Sequence, residues 1–390
     1  MYLEYKEGVR ICIISANTLA LYLRPMVVKQ TGKLAKTRVI VIAALSVAIF
    51  LLIALEDHPL FIERYYSEGL YPLICRILHP VFNIFPFSVG DILYIAVIGF
   101  IIYAVVRIVK LCLKKQFRQV GTFLLGIVIG IQTSALIFYL FWGLNYYRPT
   151  AGELLNLRDS SCTTADLKAV TAMLIDSANS CRSRLTPKDL AESNDFIYQA
   201  ATEAIRRLSS DPVQFRTFNP GIKPSILTPL LNYIGTSGYY NPFTSEAQMN
   251  YQMPIFTRPV TACHEMSHQM GFAAEDEANF VGFLAGINSR DRLLRYSSYH
   301  LAMGEFMYAL YYRDSLLNKE LKSRELPAVH NDFKTERAYW LSYQGKIGIL
   351  SSIFYDRFLK ANNQPQGLKT YNRMVLLVMA MYRERIVHSP

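Results

Sequence analysis

Residues 264–280 read HEMSHQMGFAAEDEANF, and this stretch predicts two short helices joined by a tight turn. A helix that contains His264 and His268 presents both imidazoles on one face, because residues four apart lie one above the other. Gly271 can adopt a left-handed conformation that ends this helix and turns the chain back. The acidic residues 275–277 suit the N-terminus of a second helix, where negative charge interacts favourably with the helix dipole. Polar side chains are therefore expected to meet where the two helices join.

The first five residues of this stretch have the HExxH spacing of zinc metallopeptidases. Two imidazoles on one helix face can share one zinc ion at about 2.0–2.1 Å. Glu265 is turned by about 100° around the helix axis, so it lies beside the metal and can act on a zinc-bound water. We predict His264 and His268 as zinc ligands and Glu265 as the catalytic base. The alternative is that both histidines are surface residues of an amphipathic helix.

A catalytic zinc site uses three protein ligands and an open position, and no later histidine falls at a suitable place in this stretch. Glu275 is the first candidate for the third ligand. Asn279 follows it four residues later, and such a pair can supply a ligand and its hydrogen-bonding partner. Glu277 is the competing ligand. Favourable interaction with the helix dipole would explain these acids without any metal.

Peptide hydrolysis also needs a hydrogen-bond donor for the oxyanion of the tetrahedral intermediate. Tyr299 and His300, with Tyr296, are the candidates, because they follow the second helix closely. A peptide substrate could add as a strand beside the active-site helix. We expect residues 243–255 to provide the sheet edge for it, with an ordinary loop as the alternative.

Outward from the motif, residues 143–390 predict one mainly helical domain. Helices are expected from Thr164 and over 194–208, where apolar residues recur at helical spacing. Seven prolines and three glycines between residues 212 and 259 indicate loops and short strands. The apolar helix at 374–382 is too short to span a bilayer and is expected in the core.

Before this domain, three long apolar runs predict transmembrane helices at residues 39–55, 92–109 and 120–142. The chain of 390 residues is 52% hydrophobic and only 18% charged, which excludes a disordered protein. The first run is followed by Glu56 and Asp57 instead of the small residues of a cleavage site. It therefore predicts an anchor that stays in the protein.

Positive charge flanks the apolar runs. A basic N-terminal extension, residues 1–38, has seven Lys and Arg against two acids, and residues 107–118 have five and no acid. The loop at 56–91 has a net charge of −3. The positive-inside rule then puts the N-terminus in the cytoplasm and residues 143–390 outside the inner membrane.

This topology predicts the partners of the protein. The lipid bilayer is one, and a peptide or protein of the cell envelope is the expected substrate. The net charge of +11 is explained by topology, so nucleic acid is not expected as a partner. The loop at 56–91 should lie against the membrane surface or pack on the outer domain. Cys162 and Cys181 could pair in an oxidising compartment.

Three stretches resemble one bacterial membrane family, domain of unknown function 3810: GYYNPFTSEA at 238–247, HEMSHQMGFAAEDEANF at 264–280, and YSSY at 296–299. The three apolar runs also fit, and the resemblance extends from about Leu45 to Tyr382. It implies a zincin-like site without a substrate. Familiar zincins place their third glutamate farther from HExxH, so this departure leaves the third ligand open.

Together these features predict a mainly α-helical membrane protein. Three N-terminal transmembrane helices precede a mostly helical, gluzincin-like extracytoplasmic domain with a small strand and loop region. The predicted activity is zinc-dependent hydrolysis of peptide bonds at the outer face of the membrane. The alternatives are a zinc-binding scaffold without catalysis and a metallohydrolase that acts on a non-peptide amide.

Overall fold

The computed structural model describes residues 16–157, 162–210, 213–364 and 373–387, with side chains for 33–157, 162–210, 214–364 and 373–383. Most of these residues are helical. The α-helices are α1 (Ala16–Ile53), α2 (Pro59–Phe61), α3 (Tyr71–Asn83), α4 (Val89–Leu113), α5 (Phe117–Phe141), α6 (Ala151–Leu154), α7 (Thr164–Ser183), α8 (Asn194–Leu208), α9 (Thr228–Ile234), α10 (Arg258–His268), α11 (Glu275–Ile287), α12 (Arg292–Arg313), α13 (Ser315–Lys322), α14 (Pro327–Tyr343), α15 (Lys346–Ala361) and α16 (Met374–Val387). A π-helix covers Ile62–Leu70, and 3₁₀ helices cover Gly143–Tyr147, Asp189–Ala191 and Val213–Phe215.

Three of these helices are long and apolar enough to cross a membrane: Lys33–Ile53 within α1, then α4 and α5. This confirms three apolar helices near the N-terminus. They begin before the predicted runs, and α1 continues without a break through the predicted boundary at residue 39. The reason is that residues 33–38 are mostly good helix formers, so charge ends the apolar run without ending the helix. The first 15 residues of the basic extension lie outside the described residues.

The chain forms two compact units. One comprises residues up to Leu51 together with Ile98–Leu136, and it contains most of the three apolar helices. Within it, α1 and α5 meet where the Gln132 side-chain amide donates to Ser46 Oγ at 2.8 Å. The other unit comprises Leu52–Val97 and Ile137–Pro390.

The predicted helices of the second unit are confirmed. Thr163 caps α7 in a capping box with Asp166, which satisfies two backbone amides at the helix start. Ser193 caps α8, and this helix covers 194–208 as expected. The apolar residues of α16 are buried in the core, also as expected.

A three-stranded sheet lies beside α10. Its strands are β1 (Ile222–Pro224), β2 (Gly238–Asn241) and β3 (Glu246–Met249), in the order β1-β3-β2. β3 pairs with β1 in parallel and with β2 antiparallel. The expectation that residues 243–255 form a sheet edge is therefore wrong. A tight turn returns the chain from β2 into β3, and β1 then pairs with the remaining side of β3.

Residues 59–83 form α2, the π-helix and α3 between the first two apolar helices. Of the two placements that the sequence left open, packing on the domain is confirmed. Tyr71, Cys75 and His79 of α3 are buried, and Arg148 forms a buried ion pair with Glu63 at 2.6 Å. This segment is therefore part of the domain core.

Cys162 and Cys181, which could have formed a disulfide, are both free thiols in the structure. Arg313 donates a hydrogen bond to the Cys162 sulfur at 3.2 Å.

Candidate metal centre

The motif helix and the helix after it form a close pair. α10 ends at His268, and Gly271 has a φ of +84°. This left-handed conformation turns the chain, as the sequence predicts, and leads it into α11 at Glu275. The turn brings the acid at the start of α11 next to the two histidines of α10.

Three side-chain atoms converge between these helices. His264 Nε2 lies 3.1 Å from Glu275 Oε2, and His268 Nε2 lies 3.9 Å from the same oxygen. One ligand atom from each of the three residues lies within 4.8 Å of the others. Ligands at about 2.0–2.2 Å from a tetrahedral zinc ion are separated by roughly 3.4 Å. The donor types and their proximity could therefore hold a metal ion.

Each of the three side chains also has a hydrogen bond outside the cluster, and this bond fixes its orientation. His264 Nδ1 bonds to Asn279 Oδ1 at 2.8 Å, and His268 Nδ1 donates to the backbone oxygen of Phe272 at 2.7 Å. Tyr355 donates to Glu275 Oε1 at 2.5 Å. These bonds leave both Nε2 atoms and Glu275 Oε2 facing one another. Metal-binding histidines have such partners on the nitrogen that does not bind the metal.

The charges of the cluster follow from this geometry. Burial lowers the pKa of His264, but the hydrogen bond that its imidazole donates to Glu275 and the charges of both nearby carboxylates outweigh this and raise it. Burial raises the pKa of Glu275, and the bonds and charges of the two histidines lower it overall. Burial lowers the pKa of His268 to about 4, which keeps its imidazole neutral. These opposite shifts favour a charged pair between the side chains of His264 and Glu275.

Glu265 is 3% exposed and lies beside the cluster. Its carboxylate packs against Gly238 at the start of β2, where an added Cβ would stand 2.7 Å from Oε1. Burial raises the pKa of Glu265 to about 8. Within the described part of the chain, no side chain or backbone amide donates a hydrogen bond to this carboxylate. Glu265 is thus a buried acid whose carboxylate has no hydrogen-bonding role among the described residues.

The other predicted ligand residues have different contacts. Glu277 Oε1 accepts a hydrogen bond from the backbone amide of Ala151 at 2.7 Å. Asn279 was expected to accompany Glu275, but it holds His264 instead. Of the two acids proposed as third ligand, the cluster includes Glu275.

The three predicted oxyanion donors have other contacts. Tyr296 donates to Asp332 at 2.6 Å, the ring of Tyr299 lies 6.0 Å from that of Phe283, and His300 Nε2 is 2.9 Å from Glu336. None of these contacts is with His264, His268 or Glu275.

Several side chains around the centre could not be found from the sequence. The indole of Trp142 and the hydroxyl of Tyr71 donate to the backbone oxygen of His268 at 3.0 and 3.2 Å. Arg148 donates to the backbone oxygens of Met270 and Gly271. The last carbonyls of any helix need such donors. That need was visible in the sequence, but the identity of the donors was not.

These features define a class: a mostly helical protein with three candidate membrane spans and a buried His–His–Glu cluster between a HExxH helix and the helix that follows it. The chain belongs to the family described as "Protein of unknown function (DUF3810)", whose model matches residues 66–379. The match begins in the π-helix, so α1 lies outside it and the matched region is shorter than expected at its start. Neither the search of curated proteins nor the search of solved structures found a match.

Proposed function

We propose that the protein is a membrane-anchored, zinc-dependent peptidase. The observation that carries this proposal is the convergence of His264 Nε2, His268 Nε2 and a Glu275 oxygen within 4.8 Å. Glu265 is buried next to these atoms. Two imidazoles, one carboxylate and an adjacent unbonded acid are the residue types that zinc-dependent hydrolysis requires.

In this proposal, His264, His268 and Glu275 hold the metal, and Tyr355 orients the Glu275 carboxylate. A bound zinc ion supplies Lewis acidity toward water and toward the scissile carbonyl. Glu265 accepts a proton from the attacking water and passes it to the leaving amine.

The surroundings of Glu265 favour an enzyme over a zinc-binding scaffold. A structural zinc site closes with four protein ligands, whereas the cluster has three among the described residues. A scaffold has no reason to keep a buried carboxyl group such as Glu265 beside its metal, whereas a peptidase needs it.

We further propose that the centre lies outside the cytoplasmic membrane. The Lys and Arg residues on both sides of the apolar helices support this orientation. A reporter fused after Lys115 should behave as cytoplasmic, and one fused after Pro149 as external. The opposite pattern would place the centre on the cytoplasmic side.

The decisive test of catalysis is Glu265→Gln in the full-length protein. This change removes the base and keeps the size of the side chain. We expect about one zinc ion per chain in both proteins, and a loss of hydrolysis by roughly 10²–10⁴ in the variant. A peptide library incubated with each protein in detergent gives the measurement.

Glu277→Gln is the matched control, since it alters a buried acid two residues beyond Glu275 that bonds to Ala151. It should keep both metal and activity. Equal hydrolysis by wild type and Glu265→Gln would refute the peptidase. Loss of zinc from Glu265→Gln would show that this residue is a ligand and not the base.

A further inference from the structure

The helix α15 exposes an apolar stripe. Five large apolar side chains of its first three turns are exposed, with Phe354 at 75%: Ile347, Ile349, Leu350, Ile353 and Phe354. They recur at the spacing of a single helix face. Soluble proteins rarely leave such a continuous apolar face in water, and one of this kind indicates an interaction surface.

The opposite face of α15 lies next to the metal centre. Tyr355 donates its hydrogen bond to Glu275, and Leu359 is fully buried. The ring of Phe358 lies 6.2 Å from Phe138, in the last turn of α5, and 6.3 Å from Tyr146. One face of α15 therefore faces the metal centre and the other carries the apolar stripe. The helix also contacts the end of α5, a candidate membrane span.

The charges of α15 indicate what covers the stripe. Its exposed charged side chains are Lys346, Arg357 and Lys360, all positive, while the acid Asp356 is half-buried and paired with Lys360 at 2.7 Å. A helix with an apolar face and basic flanks is typical of segments that lie in a bilayer interface and face anionic lipids.

A second helix shows the same arrangement next to another span. On α3, the side chains of Leu73, Ile77 and Val81 are exposed, together with Ile84 just after the helix. The other face of α3 packs on the domain, and α4 begins a few residues later. Both α3 and α15 thus lie next to a candidate span, and each exposes apolar side chains on the face that points away from the domain core.

We propose that the exposed faces of α15 and α3 are seated in the interfacial layer of the lipid bilayer, with the basic residues of α15 against anionic headgroups. The metal centre then lies about one helix diameter, roughly 10 Å, from the lipid. The substrate class that this position admits is a polypeptide segment at the membrane surface, and this last step rests on the proposed peptidase function.

The test uses the full-length protein in lipid nanodiscs with one chain per disc, and it measures quenching of tryptophan by brominated lipids. Phe354→Trp places the probe on the stripe. Leu316→Trp is the matched control, because Leu316 is 79% exposed on α13. Trp142 and Trp340 give a constant background that the wild-type protein measures.

We expect bromine near the headgroup end of the acyl chains to remove most of the fluorescence added at position 354, and bromine near the methyl end to remove less. Fluorescence added at position 316 should be unchanged. Discs of phosphatidylcholine with phosphatidylglycerol should give stronger quenching at 354 than phosphatidylcholine alone.

Quenching at 354 no stronger than at 316 would overturn the proposal and would mean that water, a second copy or another protein covers the stripe. Equal quenching in the two lipid mixtures would overturn the role of the basic residues. Because quenching requires neither metal nor turnover, its failure would leave the proposed peptidase intact. Loss of activity in Glu265→Gln can likewise be measured whatever the depth of α15.

Discussion

The helix pair α10–α11 and the segment 59–83 serve the same centre in different ways. The pair supplies all three candidate ligand atoms, and their spacing is local in the sequence. The segment supplies none, but Tyr71 donates to the end of α10 and Glu63 holds Arg148, which also bonds to that end. The positions of the ligand residues thus follow from their spacing in the sequence. The side chains that hold α10 in place come from distant parts of the chain, and only tertiary contacts bring them there.

The largest effect should come from the ligands themselves. His264→Ala leaves two side chains in the cluster, too few to hold zinc against water. We expect the metal content of the purified protein to fall from about one zinc per chain to a trace. Glu275→Ala should weaken binding more than Glu277→Ala. Elemental analysis of the three variants measures this, and the reverse order for the two glutamates would make Glu277 the ligand.

The next effect concerns the ion pair that ties the segment to the domain. Glu63→Ala leaves Arg148 buried without its partner, which should lower the free energy of unfolding by about 3–5 kcal/mol. Glu320→Ala breaks the exposed pair with Lys168 and should cost less than about 1 kcal/mol. Thermal unfolding in detergent compares them. Similar losses in both variants would mean that the segment adds little to the domain.

Acid should weaken the segment through His79. Burial lowers the pKa of His79 to about 4, and the neutral ring bonds to Ser245 Oγ at 2.8 Å. Between about pH 6.5 and 4, His79 is protonated in the unfolded chain and neutral in the folded chain. The free energy of unfolding therefore falls as the pH drops through this range. The expected loss is about 3 kcal/mol.

The measurement is the melting temperature as a function of pH. His79→Gln should flatten the curve over that range, and His58→Gln, at an exposed position, should not. A wild-type curve that is already flat between pH 4 and 6.5 would contradict the burial of a neutral His79.

The smallest effect should come from a single supporting hydroxyl. Tyr71→Phe removes one of two donors to the His268 oxygen and the bond to Gln269, at a cost of about 1–2 kcal/mol. Zinc affinity should fall by less than tenfold, because Trp142 still bonds to His268. Tyr65→Phe, at an exposed tyrosine, is the control. If Tyr71→Phe lost zinc as completely as His264→Ala, Tyr71 would matter as much as a ligand residue, which would contradict this prediction.

The sequence predicted the elements that a short motif or a regular spacing of apolar residues specifies. The α10–α11 pair, the bounds of α8 and the three apolar helices each follow from residues that are neighbours along the chain. Tyr355 had no such signal, because it is one of 26 tyrosines and lies 80 residues from Glu275. The central position of β3 was equally hidden, since β1 is 24 residues upstream and strand order depends on tertiary pairing.

The hydrogen bonds at the end of α10 also have a consequence for biosynthesis. Glu63, Tyr71, Trp142 and Arg148 all precede α10 in the chain, and α4 and α5 lie between the first two and the last two. A nascent chain therefore completes both of these helices before the histidines are made, and the donors are ready when α10 emerges. A shortened chain that starts after Trp142 would contain every candidate ligand but would lack Tyr71, Trp142 and Glu63, the partner of Arg148. Expression of such a fragment would yield the motif without the contacts that support it.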